Sequence, residues 1–243
     1  MKIPTTNEEY LQDLLVRMAH HSTAIEGNSL TQGETKSIIL ENYVPRAVDL
    51  REVNEVINYK KLMPYLLENQ KNNIDIQGIK DINRIVLNNI DDRGGTFKVT
   101  QNAIKGADFE TTKPYMVLEE IKKWTDDLSW RLNNAKNNQE KVEIIMDQHI
   151  RFEKIHPFPD GNGRTGRALI IWSCLQHDLT PIVIEKEQRK PYINALNRND
   201  VKELAKLAIE IQKKELQRKE IFNGMKKDKE QRKRKNRNLG WER

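Results

Sequence analysis

Residues 156–167 of this 243-residue chain read HPFPDGNGRTGR and join two apolar segments that have helical spacing. The twelve residues hold a histidine, a carboxylate, three glycines and two arginines. A base that titrates near neutral pH, a hard metal ligand and two fixed positive charges together suit a site that binds a polyphosphate. We therefore expect this stretch to form the centre of the fold and of its functional site.

The second half of the stretch predicts an anion site at the start of a helix. Residues 161–163 form a glycine-containing loop, and a helix is predicted over residues 164–176. Free backbone amides and the positive end of the helix dipole favour anions at such a start. Arg164 and Arg167 are three residues apart, so both lie on one helix face. Each guanidinium can bond two phosphate oxygens at once.

The first half of the stretch supplies a base and a metal ligand. Asp160 precedes the free amides, where a carboxylate would repel phosphates unless Mg²⁺ lay between them. His156 has an ordinary pKa of about 6.5 and can accept a proton at neutral pH. Phe158 is expected to anchor the loop in the core. The simpler alternative, a capped helix with two surface arginines, explains each residue singly but not their combination.

The same residues also match a dinucleotide-binding pattern. Gly161, Gly163 and Gly166 fit G-x-G-x-x-G, and Glu185 and Glu187 follow about 20 residues later. In that fold a strand comes before the glycines, whereas here a helix and a proline-rich turn precede them. A glycine–lysine pair that would close a phosphate-binding P-loop is absent, and so are the other kinase motifs. A dinucleotide oxidoreductase is therefore the last of the hypotheses.

The remaining sequence predicts a helical scaffold around this centre. The first helix begins near Asn7 and stops at Gly27-Asn28. A second helix begins at Thr31 with a capping box. One long helix is predicted over residues 49–69, with Pro64 disturbing its later part. Asp75 caps another helix. Further helices are predicted over residues 114–134 and 139–155, and two more follow residue 190. No repeat and no alternation of strands and helices is present.

Glu26 stands out in the last turn of the first predicted helix. A negative charge there costs about 0.3–1 kcal/mol against the helix dipole. On local grounds an exposed glutamate that tolerates this cost is the favoured interpretation. The alternative is that a positive partner elsewhere in the chain holds it in place.

A β-hairpin is predicted where the helical pattern stops, after Gly94-Gly95. Residues 96–100 and 103–109 are rich in strand formers and flank a turn glycine, Gly106. An isolated hairpin is marginally stable, so it must pack or pair with something. It is either an ordinary surface hairpin or an edge that captures an extended peptide by strand addition.

The charge of the chain is concentrated at its C-terminal end. The whole chain carries a net +6, but residues 213–243 hold 13 Lys/Arg and 5 Asp/Glu, which leaves −2 for the rest. Such a tail can bind nucleic acid, yet no aromatic residue is interleaved for base stacking in its dense basic run, residues 226–237, and a solvated helix end is favoured. No apolar run approaches the ~18 residues of a membrane span, and no apolar signal segment begins the chain, so a cytoplasmic protein is expected. The lone Cys174 excludes an internal disulfide.

The central stretch fits H-x-F-x-[D/E]-G-N-G-R-x-x-R at every specified position and resembles the signature of Fic-domain proteins, the Fic/Doc family. The resemblance covers most of residues 93–212. It implies an all-α fold, a Fic-type helical bundle with a small β-hairpin flap over the active site. It also implies an enzyme that transfers AMP from ATP to a Ser, Thr or Tyr hydroxyl of a target protein, with Mg²⁺ as cofactor.

The resemblance assigns a role to each matching residue. His156 would be the general base and Asp160 the Mg²⁺ ligand. The residues that would bind the nucleotide phosphates are Gly161, Asn162, Gly163, Arg164, Gly166 and Arg167. The flap residues that would align the target are Ile104, Lys105, Gly106, Ala107 and Asp108. Tyr192, Leu196 and Asp200 stand where relatives line the adenosine pocket, although the local sequence there departs from better-known members.

The resemblance also changes the interpretation of Glu26. The run Ser22-x-x-x-Glu26-Gly27 fits the family's inhibitory pattern [S/T]-x-x-x-E-[G/N]. It implies that Glu26 pairs with Arg167 and occupies the position of the γ-phosphate. In some relatives this glutamate instead positions water to remove AMP, so a de-AMPylase is the alternative enzyme.

Three regions are predicted on this basis: 1–92, a helical region that carries the inhibitory helix; 93–212, the Fic core; and 213–243, a basic C-terminal helix or tail. The expected partners are ATP and a protein target, without a membrane. A homodimer stays open because relatives often dimerise. The competing hypothesis is a non-catalytic nucleotide- or nucleic-acid-binding regulator that acts through the tail.

Overall fold

The computed structural model describes residues 7–103 and 110–239, and it describes the backbone alone for residues 227 and 229–239. Within these ranges the chain is all-α and has no strand. The helices are α1 (Glu8–Ile25), α2 (Gln32–Glu41), α3 (Leu50–Ile57), α4 (Tyr59–Glu68), α5 (Ile76–Val86), α6 (Val117–Asn134), α7 (Asn138–Ile155), α8 (Asn162–Gln176), α9 (Arg189–Arg198) and α10 (Val201–Leu239). None of the described helices is long and apolar enough to span a membrane.

Side-chain caps set the starts of several helices where the sequence predicts them. Asn7 accepts a hydrogen bond from the Glu9 amide at the start of α1, and Asp75 accepts one from Gly78 at the start of α5. Thr31 and Glu34 form a complete capping box at α2. Such a cap stabilises a helix start by about 1 kcal/mol.

Helix α8 is the centre of the core. Residues 168–174 are buried throughout, as expected for a helix that is apolar nearly all round. Helices α7, α5, α4 and α1 pack against it. Helix α1 also contacts α2, α3 and α4, so the N-terminal helices form one body with α8. This packing brings the end of α1 and the face of α3 to the start of α8.

The prediction of one helix over residues 49–69 places its interruption at the wrong residue. The interruption is at Asn58, between α3 and α4, and Pro64 lies inside α4. The buried Asn58 amide donates to the carbonyl oxygens of Val86 (3.1 Å) and Asn88 (2.8 Å). These bonds tie the break to the end of α5, a tertiary interaction that local sequence does not encode.

The predicted first strand of the hairpin, residues 96–100, is also wrong. Residues 96–100 form no strand in the described structure, and the Lys98 amide donates to Pro157 O at 2.8 Å, in the loop before α8. On the far side of the segment, the Thr112 amide donates to Lys154 O at 3.2 Å. The flap residues Ile104 to Asp108 lie outside the described residues.

Candidate active site

His156 is held at the end of α7 in the protonation state that a general base needs. It terminates the helix in the left-handed region (φ 48°), and its amide donates to Phe152 O at 3.0 Å. Its Nδ1 lies 3.3 Å from Glu153 O, and because a carbonyl only accepts, Nδ1 carries the proton. Nε2 is left as a proton acceptor. Burial lowers the pKa of His156 to about 4, so the ring is neutral at neutral pH.

Asn162 shapes the loop between His156 and α8. Its side chain accepts from the Phe158 amide (2.9 Å) and donates to the Phe158 carbonyl (2.8 Å). Phe158 is fully buried, as predicted, and fixes the loop in the core. Gly161 has φ 76°, a conformation that favours glycine, and a Cβ there would also crowd the side chains of Asn83 and Leu87. The side chain of Asn162 is therefore structural, and its backbone amide is the part available to an anion.

The start of α8 presents free amides. The first backbone bond of the helix is from the Thr165 amide to Gly161 O at 2.9 Å, so the amides of residues 162–164 have no acceptor within the helix. A Cβ on Gly163 would overlap the Glu26 carboxylate. The carboxylate of Glu26 thus lies close to Gly163 at the positive end of α8, where an anion is favoured.

Arg167 joins α8 to the end of α1. Its Nε donates to Ser22 Oγ at 2.9 Å, and its Nη2 donates to Ser22 O at 2.8 Å and to Glu26 Oε1 at 2.7 Å. The guanidinium is buried, which alone would lower the pKa of Arg167, but the nearby Glu26 charge raises it. Likewise burial would raise the pKa of Glu26, and Arg167 lowers it. Both groups are therefore charged at neutral pH.

Arg164 and Asp160 have partners that the sequence did not indicate. Arg164 Nη1 donates to Glu55 Oε1 at 3.0 Å, and its Nη2 lies 3.3 Å from Asp160 Oδ1. Arg51, also on α3, donates from Nη2 to Asp160 Oδ2 at 2.7 Å. Arg51 and Glu55 are about 110 residues away along the chain, and no motif marks them, so only the fold reveals their role.

Gly166 has no side chain, and two side chains of α7 occupy the space that a Cβ would fill. A Cβ on it would lie 2.5 Å from Glu153 Oε1 and 2.9 Å from His149 Cε1. Both neighbours are buried side chains of α7. The geometry gives Gly166 a packing role, and its predicted phosphate contact stays a prediction.

The three residues predicted at the adenosine pocket lie in different surroundings. Tyr192 is buried, and its hydroxyl is 2.7 Å from His149 Nε2, beside the charge of Arg167. Leu196 is buried in the core. Asp200 is exposed and accepts from the Glu203 amide at 2.9 Å near the start of α10. Their role toward adenosine stays a prediction.

Asp160 fits a magnesium ligand. Within residues 7–103 and 110–239 no group of three or more His, Cys, Asp or Glu side chains could hold a metal by protein ligands alone. Mg²⁺ is commonly bound by one or two carboxylates together with phosphates and water. Asp160 offers one such carboxylate beside the free amides, and 36% of its side chain is exposed. Its Oδ2 is bonded to Arg51.

Comparisons with known proteins agree with this geometry. Residues 73–174 match the Fic/DOC family. Protein adenylyltransferase fic-1 of Caenorhabditis elegans is 30% identical over 183 residues, which are 73% of this chain and 35% of that protein. Protein adenylyltransferase Fic of Drosophila melanogaster is 27% identical over 221 residues, 86% of this chain and 42% of that protein. The chain thus spans less than half the length of these curated relatives.

The fold is similar to solved Fic structures. A Fic domain containing signaling protein from Bacteroides thetaiotaomicron superposes with a TM-score of 0.78 at 20% identity, over 86% of this chain and 87% of that one. Fic-1 from C. elegans has a TM-score of 0.74 at 25% identity, over 93% of this chain and 68% of that one. Motif, fold and relatives coincide at the start of α8, and the chain contains a domain of the Fic/DOC family, matched over residues 73–174.

Proposed function

We propose that this chain is an autoinhibited protein adenylyltransferase that moves AMP from ATP to a Ser, Thr or Tyr hydroxyl of a target protein. The observation that carries the proposal is the bond between Glu26 and Arg167 at the free amides of α8. This arrangement is an anion site that one of the chain's own carboxylates occupies.

The phosphates of ATP would replace the carboxylate there. The amides of residues 162–164 supply donors and the helix dipole supplies positive potential. Arg164 and Arg167 lie on the same face and supply two guanidinium groups for the β- and γ-phosphates. Mg²⁺ held by Asp160 would neutralise phosphate charge.

His156 would act on the target hydroxyl. As the hydroxyl oxygen forms a bond to the α-phosphorus, the bond to pyrophosphate breaks and Nε2 takes the hydroxyl proton. The Nδ1 bond to Glu153 O fixes the tautomer in which Nε2 is the acceptor. The low pKa keeps this nitrogen unprotonated before the reaction.

Glu26 would inhibit by holding Arg167 and by filling the place of a phosphate. Its side chain is 41% exposed, so the ion pair is partly solvated and ATP can compete with it. We therefore expect weak activity in the wild type and strong activity once the carboxylate is removed.

Labelled ATP tests the proposal in three proteins: wild type, Glu26→Gly, and Glu26→Gly combined with His156→Ala. Label transfer to the protein itself or to a target should be faint, strong and absent, respectively. Glu41→Gly removes an exposed carboxylate at the end of α2 and is a matched control that should behave as wild type. If Glu26→Gly binds ATP but transfers no label, the proposed reaction is wrong.

The exposure of Glu26 also favours hydrolytic removal of AMP from a modified target as a second candidate function. A partly solvated carboxylate near free amides can hold a water molecule that attacks an AMP–protein bond. Incubation of an AMP-modified target with wild type and with Glu26→Gly separates the two functions. Removal of AMP by the wild type alone would assign Glu26 to hydrolysis.

A further inference from the structure

Glu153 is a buried carboxyl group that the proposed reaction does not use. Its side chain is 10% exposed, and its Oε1 has no hydrogen-bond partner among the described residues. The missing side chain of Gly166 leaves the space that this oxygen occupies. A buried carboxyl without a partner for one oxygen is unfavourable, so its position calls for a physical reason.

The carboxyl group lies between two histidines of α7. Glu153 Oε2 is 4.0 Å from His156 Nδ1, and Oε1 is 3.9 Å from His149 Nε2. His149 does not act as its charged partner, because burial lowers the pKa of His149 to about 3. His156, in contrast, must become positively charged when it accepts a proton.

We propose that Glu153 is a positioning residue that stabilises the imidazolium of His156 during transfer. This inference rests on the proposed function, in which Nε2 takes the hydroxyl proton. The proton-bearing Nδ1 of the resulting cation faces Glu153 Oε2, as carboxylates face the base in several hydrolases. No bond to Glu153 forms or breaks, since the carboxylate acts through its charge.

The charge on Glu153 should change near neutral pH. Burial raises the pKa of Glu153 to about 7, Arg167 opposes this and Glu26 adds to it. The charged and titratable groups that face it from α7, α8, α1 and α9 are His149, His156, Arg167, Glu26 and Tyr192. Above pH 7 the carboxylate is ionised and supports the imidazolium. Below pH 7 it is neutral and does not.

The first test is an NMR titration of the His156 ring that does not depend on activity. In the wild type, the His156 resonances should show an inflection near pH 7 from the ionisation of Glu153. Glu153→Gln should lose this inflection, and Glu153→Asp, which retains a carboxyl group, should keep one. Identical His156 titrations in wild type and Glu153→Gln would overturn the inference.

The second test measures the rate of AMP transfer against pH in the Glu26→Gly background. Adding Glu153→Gln should reduce kcat roughly tenfold at pH 8 and less than about twofold at pH 6. A purely structural role would lower kcat equally at both pH values, and that outcome would overturn the inference. Absence of transfer in Glu26→Gly itself would refute the proposed function, while the NMR titration would still decide whether Glu153 and His156 are coupled.

Discussion

Removal of the Glu26 carboxylate should tighten ATP binding by an amount that the structure allows us to bound. In the wild type, Arg167 Nη2 lies 2.7 Å from Glu26 Oε1, and the glutamate side chain is 41% exposed. A fully exposed pair is worth about 0.2–1 kcal/mol, and removal of one partner of a fully buried pair costs about 3–5 kcal/mol. A half-solvated pair falls between these limits, at about 1–2 kcal/mol.

On the proposed function, this is the free energy that ATP must overcome to contact Arg167. If the pair closes the site with about 1–2 kcal/mol, the apparent Kd for ATP is raised roughly 5–30-fold. Glu26→Gly should recover this factor, and Glu26→Gln, which keeps a hydrogen-bond acceptor but no charge, should recover only part of it. Because the pair is ionic, the difference between wild type and Glu26→Gly should shrink at high salt.

Isothermal titration calorimetry with ATP and Mg²⁺ measures these constants directly. Ser22→Ala is the matched control: it removes the Oγ acceptor of Arg167 but leaves the Ser22 carbonyl and Glu26 in place. It should change the Kd by less than about threefold. An ATP Kd that is equal in wild type and Glu26→Gly would refute the reasoning, because the carboxylate would then not compete with the phosphates.

Three further predictions follow from other contacts of the site. Arg51→Ala frees Asp160 Oδ2 and should lower the Mg²⁺ concentration for half-maximal ATP binding by a fewfold, measured by calorimetry at several Mg²⁺ concentrations. Glu153→Gln should flatten the pH dependence of stability. Because the folded pKa of Glu153, about 7, lies above its unfolded value, the wild type loses about 3 kcal/mol between pH 4.5 and 7 in urea unfolding, and the variant should not. Asn162→Ala removes both bonds to the Phe158 backbone and should lower the stability by about 1–3 kcal/mol, with at least a tenfold lower rate of transfer in the Glu26→Gly background.

The sequence predicted the parts of the site that depend on local chemistry. The free amides, the two arginines on one face and the base at the end of a helix all follow from residue types and spacing within residues 156–167. The helix dipole marks Glu26 as unusual, but on local grounds an exposed glutamate is favoured, and only the resemblance of Ser22-x-x-x-Glu26-Gly27 to the inhibitory pattern predicts its pairing with Arg167. The structure places Arg167 against it, while the inhibition itself stays a prediction.

The parts that sequence reasoning missed depend on tertiary contacts. The helix is interrupted at Asn58, whose side chain bonds to carbonyls about 30 residues away, whereas Pro64, the residue with the stronger local signal, lies within a helix. Nothing in the local sequence distinguishes Glu153 from an exposed helical glutamate. Only the fold, in which its carboxyl group packs against Gly166, shows that it is buried. Arg51 likewise has no local feature that distinguishes it from a solvated arginine.

The N-terminal helices supply an oppositely charged partner to Arg167, Arg164 and Asp160. Helix α1 supplies a carboxylate to Arg167, and α3 supplies Glu55 to Arg164 and Arg51 to Asp160. These contacts differ in their exposure to solvent: Arg164 and Glu55 are both buried, whereas the Arg51 side chain is 54% exposed. Desolvation makes the buried pair hard to break, and solvent makes the exposed one easy to exchange. On the proposed function, we therefore expect a nucleotide with its metal to displace Arg51 and Glu26 at modest cost, while the Glu55 bond keeps Arg164 in position to receive the phosphates.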